Sequence, residues 1–404
     1  MTFPSTVPTS TTDTPRIAIV GGGPSGLTLL LTLTRRGVAS TLYEREPDSH
    51  SRAHLGGMLN LEWDSGQRAL RENGLEDTFK ACSRRDAEET KICGKDGVPL
   101  FYRAMGDPRD NNLEQARPEI DRRVLRQVLV DAVPEGAIQW GHALVAIRPL
   151  GGGQHELTFA NGVVVIADIV VGADGANSRI RPLLSPATPI YHGVTGAEIS
   201  LAPAVAALPE NADIVEGMGV GSCYAAEDSK VLCFQRNGDG RIRTYAWHRA
   251  PLEWGLPGAP AEAKEVLLSL FSDWAPWMRK LITIADEGAI YPRPLFHLPV
   301  GHRWEHTPGI TLIGDAAHLM SPFAGAGANL AMRDGLELGI VLSEAVNEGA
   351  EVEKREKAIA AWESGMVERV GRFAALTLRN IEQVFSSKAP QSMVDAWEAA
   401  VYQK

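Results

Sequence analysis

Three short stretches of this chain put glycines and carboxylates where main-chain amides can face an anion. The longest runs Gly314-Asp315-Ala316-Ala317-His318, then Pro322-Phe323-Ala324-Gly325-Ala326-Gly327-Ala328-Asn329, and on to Asp334. It follows the apolar run Ile310-Thr311-Leu312-Ile313. A buried strand therefore delivers a carboxylate, a Gly-rich turn, and a helix whose unpaired N–H groups point back at the strand end. The second stretch is Gly21-Gly22-Gly23-Pro24-Ser25-Gly26, and the third is Gly172-Ala173-Asp174-Gly175 with Arg179 and Arg181 close behind. Each puts a glycine turn or an acidic side chain at the end of an apolar run, where a phosphate or a hydroxyl-rich ligand can bind.

The elements that must position these residues are legible around them. Arg16-Ile17-Ala18-Ile19-Val20 reads as a buried parallel strand, residues 27–36 as a helix stopping at Gly37, and Thr41-Leu42-Tyr43-Glu44-Arg45 as a second strand. Strand, Gly-x-Gly-x-x-Gly turn, helix and a terminal acid form a dinucleotide fingerprint. Gly21 makes the tight turn, Gly23 admits the pyrophosphate, Gly26 lets helix pack on strand, and Glu44 is placed for a ribose hydroxyl. Asp168-Ile169-Val170-Val171 is a further buried strand, feeding Asp174. A helix starts at Asp121 and carries Arg122. A hairpin follows, with a type I′ turn expected at Asn161-Gly162.

With 404 residues, the chain is too long for one simple core. A formal charge of −10 without a basic block argues against nucleic acid or acidic membrane surfaces as partners. No apolar run is long enough to span a bilayer. Four cysteines without Cys-x-x-Cys spacing read as free thiols in a reducing, cytoplasmic setting, with no metal site. The expected fold is α/β. Residues 1–14 form a disordered tail, and residues 15–185 with 290–348 a discontinuous Rossmann-like domain on a parallel sheet. An inserted, mostly antiparallel substrate-binding sheet spans 186–289, and residues 349–404 form a long helical brace.

Taken together, these motifs resemble the aromatic-hydroxylase-type (group A) FAD-dependent monooxygenases, with their dinucleotide, Asp-Gly and Gly-Asp motifs. Within that family the chain looks most like the tetracycline-modifying flavin monooxygenases. The shared stretches are Tyr43-Glu44-Arg45, Gly56-Gly57 before Leu59-Asn60-Leu61, Ser65-Gly66-Gln67, Pro118-Glu119-Ile120-Asp121-Arg122, and residues 313–325. The resemblance implies FAD as cofactor and NADPH or NADH as co-substrate. Dioxygen is activated at the flavin C4a position, and one oxygen passes to an aromatic or polyketide-like small molecule. By the same resemblance Asp315 meets a ribityl hydroxyl, Arg122 the ribityl–pyrophosphate linker, and Asp174 both FAD and the nicotinamide cofactor. Pro322, Gly325, Gly327, Ala328 and Asn329 frame the flavin ring. Ser25, Arg45 and Gly314 complete the cofactor set. No catalytic side chain is assigned, and His318 is expected to be a buried structural histidine.

Two departures from the family pattern stand out. Asn60 occupies a position where relatives carry an aspartate near the flavin, which keeps a hydrogen bond but not a charge. Ala53 stands where relatives place an NADPH-linked arginine, leaving Arg52 as the candidate contact. The substrate surface is expected on one face of the inserted sheet, with Phe234, Arg243 and Tyr245 as candidates; solvent exposure is the alternative for the last two. Arg243 could meet a carboxylate or phenolate, and tetracycline itself is disfavoured. A reductase without oxygen insertion and a non-enzymatic flavin-binding redox sensor are the rival readings. A flavin halogenase is disfavoured because Trp-x-Trp-x-x-Pro is missing at Trp247. A monomer or small homo-oligomer is expected.

Overall fold

The computed structural model describes residues 14–51, 56–104, 114 and 116–402. Its first layer is a five-stranded, wholly parallel sheet in the order Ile310–Leu312, Ile169–Gly172, Ile17–Val20, Thr41–Tyr43, Ile138–Gln139. The runs Ile-Ala-Ile-Val and Ile-Val-Val-Gly are buried at every position, as central parallel strands with helices on both faces require. Register brings Tyr43, Val20, Gly172 and Leu312 level with one another at the carboxyl edge. The residues just beyond that line are Glu44, Gly21, Asp174 and Gly314, so register alone gathers all three motifs.

Helix Pro24–Arg35 packs on helix Gly327–Asn347 through two glycines of the latter. A Cβ on Gly335 would stand 2.4 Å from the Ser25 carbonyl oxygen, and one on Gly339 2.7 Å from Thr32 Cβ. These two small residues let the helix of the first motif approach the helix of the third.

The second sheet has seven strands in the order Ile290–Pro292, Val194–Leu201, Ile242–Arg249, Lys230–Arg236, Ser222–Glu227, Thr90–Cys93, Pro99–Arg103. It is antiparallel except where Ser222–Glu227 runs parallel to Thr90–Cys93. Those last two strands come from a segment that the sequence assigned to the cofactor domain. Helices Pro260–Leu270 and Pro276–Ile284 cover one face of this sheet. The other face looks toward the parallel-sheet domain and the chain's end. The tight turn with positive φ at both central residues lies at Asp228-Ser229, joining two strands of this sheet, and not at Asn161, where only Gly162 is left-handed. The brace is two helices, Val352–Val384 and Gln391–Tyr402. All four cysteines are free. Among the described residues no helix is long and apolar enough to cross a membrane, and no cluster of potential metal ligands occurs. Arg52 and Ala53, and nearly all of the expected N-terminal tail, lie outside the described residues.

Candidate active site

The first motif turns as its glycines dictate. Gly21 has φ +111°, and a Cβ there would sit 2.2 Å from the Ala173 carbonyl oxygen. A Cβ on Gly26 would lie 2.0 Å from the Gly21 oxygen, so only glycine lets helix meet strand here. Gly23 differs: it precedes helix Pro24–Arg35, and a Cβ there would meet nothing within 4 Å. That open side, next to a helix N-terminus, is where an anion can approach the main chain. Glu44 is buried and accepts from the amides of Gly22 and, at 3.0 Å, Glu46. Arg45 stays largely exposed, 3.5 Å from Glu46.

Asp174 stands beside this turn. Its Oδ2 accepts from the Arg179 amide at 2.8 Å, whereas Oδ1 is buried and has no partner among the described residues. Burial raises its pKa, opposed by hydrogen bonds from Ser178 and the following amides. An orphaned carboxylate oxygen beside an open glycine turn is an acceptor suited to a ligand hydroxyl. Arg181, which carried no role in the sequence reading, is buried and bonds the carbonyls of Ala176 and Ala316 (3.4 Å), tying this loop to the third motif.

In the third motif, Gly314 adopts φ +61°, and its α-carbon faces Ser25, whose Oγ would be 2.7 Å from a Cβ. Ser25 is thus buried packing between two motifs. Asp315 is exposed at the strand end, so its carboxylate is open to a ligand. The turn Pro322–Ala324 leads to left-handed Gly325 and then into helix Gly327–Asn347. The first-turn amides of Gly327, Ala328 and Asn329 precede the first intrahelical acceptor and remain free for a ligand. Gly327 also offers open space.

The Asn329 side chain serves a different purpose. It is 1 % exposed; Oδ1 accepts from Glu62 N, Ser65 Oγ and Gly66 N, and Nδ2 donates to the Asn60 carbonyl. It clamps the 60–66 segment to the helix start, leaving only its amide for a ligand. The same clamp carries Asn60 to the ring-side loop, its Oδ1 3.5 Å from where a Gly325 Cβ would be. Arg122 begins helix Arg122–Asp131, its amide on the Gly57 carbonyl and its exposed side chain along Gly56.

His318 is buried, with Nε2 2.5 Å from Asp334 Oδ2. Burial works against its charged form, but the charge and hydrogen bond of Asp334 outweigh it and raise its pKa. Asp334, fully buried, also accepts from the Gly314 amide (3.1 Å) and from Arg369 (3.3 Å). The histidine is therefore part of the support beneath the Gly-Asp turn.

Arg369 belongs to helix Val352–Val384, and the same helix reaches the ring-side loop twice more. Thr377 Oγ1 donates to the Ser321 carbonyl at 2.9 Å, and Asn380 Nδ2 to the Phe323 carbonyl at 2.7 Å. Farther up, Glu363 accepts from Trp304 and Thr311, and Glu356 from the Gly309 amide. The expected packing brace thus holds the segment from Gly309 to Asp334 by hydrogen bonds. Polar residues set into its apolar stripe were the overlooked signal.

Across from the ring-side loop lies the open face of the second sheet. Register aligns Phe101, Ile92, Tyr224, Cys233, Tyr245 and Glu198 in one row across six strands. Trp247 and Phe323 have ring centroids 5.6 Å apart, joining sheet to loop, and Trp397 of the last helix closes on Phe101 and Tyr224 at 6.2 and 6.1 Å. The face carrying Arg243, Tyr245 and Trp247 therefore looks at the motifs. Phe234 does not: it pairs with Thr244 and is 0 % exposed against Trp277, on the helix-covered side. Alternation by two sends Cys233 and Gln235 to the open face in its place. Arg243 is not available to a substrate anion. It is 3 % exposed and paired at 3.3 Å with Glu198, which also binds Arg293 at 2.8 Å and the Gly56 amide. Tyr245 accepts from the Gly57 amide at 3.1 Å, and burial is the main cause pushing its pKa up to about 12. These side chains fix the 56–58 segment on the sheet.

The open Gly23, the orphaned Asp174 oxygen, the exposed Asp315 and the free amides at Gly327 together fit an extended dinucleotide cofactor. The family described as an FAD binding domain matches residues 14–275 and 299–358. The monooxygenase asqM of Emericella nidulans is 31 % identical over 437 residues, covering 93 % of this chain and 96 % of that protein. The 3-amino-4-hydroxybenzoate 2-monooxygenase PtmB3 of Streptomyces platensis is 30 % identical over 336 residues, 82 % and 80 % of the two chains. Klebsiella pneumoniae HpxO, solved with FAD and uric acid, superposes with a TM-score of 0.76 at 18 % identity, covering 96 % and 93 %. The tetracycline destructase Tet(51) superposes at 0.70 and 16 % identity, covering 96 % of each chain, a likeness of fold. The chain belongs to the FAD-binding-domain family of group A flavin monooxygenases and is an FAD-dependent monooxygenase.

Proposed function

We propose that the protein uses NADPH or NADH and dioxygen to hydroxylate a flat aromatic or polyketide-like molecule held between the ring-side loop and the second sheet. The observation that carries this reading is the contact of Phe323, on the ring-side loop, with Trp247 on the open face of the second sheet. FAD, when bound, supplies the redox and oxygen chemistry. The chain's own residues bind and orient it. Glu44, Asp174 and Asp315 accept from hydroxyls, Gly23 gives a phosphate access to a helix N-terminus, and Arg122 offers a guanidinium to the diphosphate. The amides of Gly327, Ala328 and Asn329, with the positive end of their helix, stabilise negative charge on the ring. The aromatic row and Trp397 exclude water from the space beside it. Reduced thiols at Cys82, Cys93, Cys223 and Cys233 agree with action in the cytoplasm.

The test is NADPH and NADH oxidation by the FAD-loaded protein against a panel of phenols, aromatic ketones and polyketides, with mass spectrometry of the products. Stimulated oxidation with a gain of one oxygen is expected. Product formation that proceeds without oxygen would turn the assignment to a reductase, and no stimulation by any compound would favour a redox sensor.

A further inference from the structure

Glu119 has no part in the cofactor site, yet it faces the same space as the aromatic row. It lies on strand Glu119–Asp121, antiparallel to Met58–Asn60, directly opposite Asn60. Opposed residues of an antiparallel pair share a face, so Glu119 sits on the side from which Asn60 reaches the ring-side loop. On the far side are Tyr224 and Cys233, both of which feel its charge. Glu119, Tyr224 and Tyr245 each keep part of their surface uncovered by neighbours. Glu119 Oε2 is buried and accepts no hydrogen bond among the described residues. Arg84, the nearest cation, directs its guanidinium to Asp86, the Arg236 carbonyl and the Val220 carbonyl.

We propose that Glu119 is the substrate-reading residue of this aromatic box, its carboxyl donating a hydrogen bond to an oxygen on a neutral, flat aromatic ligand. This rests on the reading that substrate occupies the space between ring-side loop and sheet. A buried acid without a partner keeps its proton, because ionising it there is costly. Burial is the main cause that raises its pKa to about 8; Glu88 and Asp121 add to the rise, and Arg84 opposes it. On the sheet side the facing titratable groups, Tyr224 and Cys233, are neutral at physiological pH, both pushed up by burial. At neutral pH the box therefore presents six aromatic rings and one acidic proton. A neutral ring bearing a carbonyl matches that chemistry. An anionic ring competes poorly once Glu119 ionises.

The test compares wild type with Glu119→Gln, both FAD-loaded, using 2-acetylnaphthalene and 2-naphthoate, neither of which titrates between pH 6.5 and about 9.5. Binding is read from the perturbation of the flavin absorbance spectrum, without turnover. Wild type should bind the ketone best below pH 8 and lose about tenfold in affinity for each pH unit above it, as the donor proton leaves. Glu119→Gln, which keeps a donor that does not titrate, should bind the ketone with one affinity throughout. Above pH 8, where Glu119 is ionised, naphthoate should bind wild type more weakly than the ketone, and Glu119→Gln should narrow that gap. Equal pH dependence in both proteins would overturn the role of Glu119 while leaving the box intact. Tight ketone binding to both proteins at every pH would do the same. No perturbation by either probe would overturn the box and Glu119 with it.

Discussion

The two sheets solve opposite problems. At the parallel sheet, recognition is done by main chain: open glycines, free helix amides, and carboxylates placed at strand ends by register. At the second sheet, where we propose the substrate binds, only side chains are on offer, and most of the polar ones are spent on holding the protein together. Glu198 and Arg243 form a buried pair, joined by the partly exposed Arg293, beneath the 56–58 segment, and Tyr245 and Gln235 hold that segment's amides. Once those are subtracted, the face keeps aromatic rings, with Glu119 opposite them on the strand that pairs with Met58–Asn60. A cofactor site built from backbone tolerates wide sequence change around a few glycines. A substrate site built from side chains can be respecified by a few substitutions.

The sharpest break between the two regions should come from Gly23→Val. The added carbons enter open space, so the apoprotein should melt within a degree or two of wild type. FAD affinity should fall at least a hundredfold, about 2.7 kcal/mol, measured by flavin retention and titration. Retained FAD binding would remove Gly23 from the site. Arg243→Met should act the other way, on stability and not on cofactor. It leaves Glu198 buried with one cation fewer, and about 3–5 kcal/mol is the usual cost of breaking such a pair. A variant with unchanged denaturant midpoint but lost substrate response would restore Arg243 to substrate binding.

Glu119→Gln sharpens the comparison through pH. The folded-state pKa of about 8 lies above the ordinary value of 4.5, so the folded protein holds a proton that the unfolded chain releases. Wild-type stability should therefore decline as pH rises from about 4.5 to about 8, and the glutamine variant should lack that component. The variant should gain up to a few kcal/mol over wild type at pH 9, and about nothing at pH 4. Matching pH–stability curves would contradict a buried, unpartnered acid. The smallest effect is expected from Asn380→Ala, which frees the Phe323 carbonyl and costs about 1 kcal/mol. Its sensitive readout is coupling. More of the reducing equivalents should appear as hydrogen peroxide, while FAD content stays at wild type.

What could be read in advance follows the same division. The glycine motifs and their flanking apolar strands are local patterns, and Gly21, Gly26 and the parallel strands occupy the places their spacing dictates. The open face of Ile242–Arg249 was legible from alternation, since Arg243, Tyr245 and Trp247 share a side. Phe234 went astray because a strand offers two faces, and the pairing of Phe234 with Thr244 is set by a register that no single strand reveals. Strands Thr90–Cys93 and Pro99–Arg103 join a sheet whose other strands begin about a hundred residues later, a pairing with no local signature. Asn329 read as a residue framing the ring, but its side-chain amide is consumed by the 60–66 segment, a contact that no local pattern announces. Glu119 stood inside a recognised motif, but only the tertiary approach of Tyr224 and Cys233 isolates its carboxyl.

The most direct test of the account is oxygen labelling. FAD-loaded protein is supplied with NADPH and, under ¹⁸O₂, with whichever aromatic compound most stimulates NADPH oxidation. The account predicts one labelled oxygen per product molecule, with water as the fate of the other atom. Product carrying no label, or reducing equivalents recovered entirely as hydrogen peroxide across the panel, would contradict it.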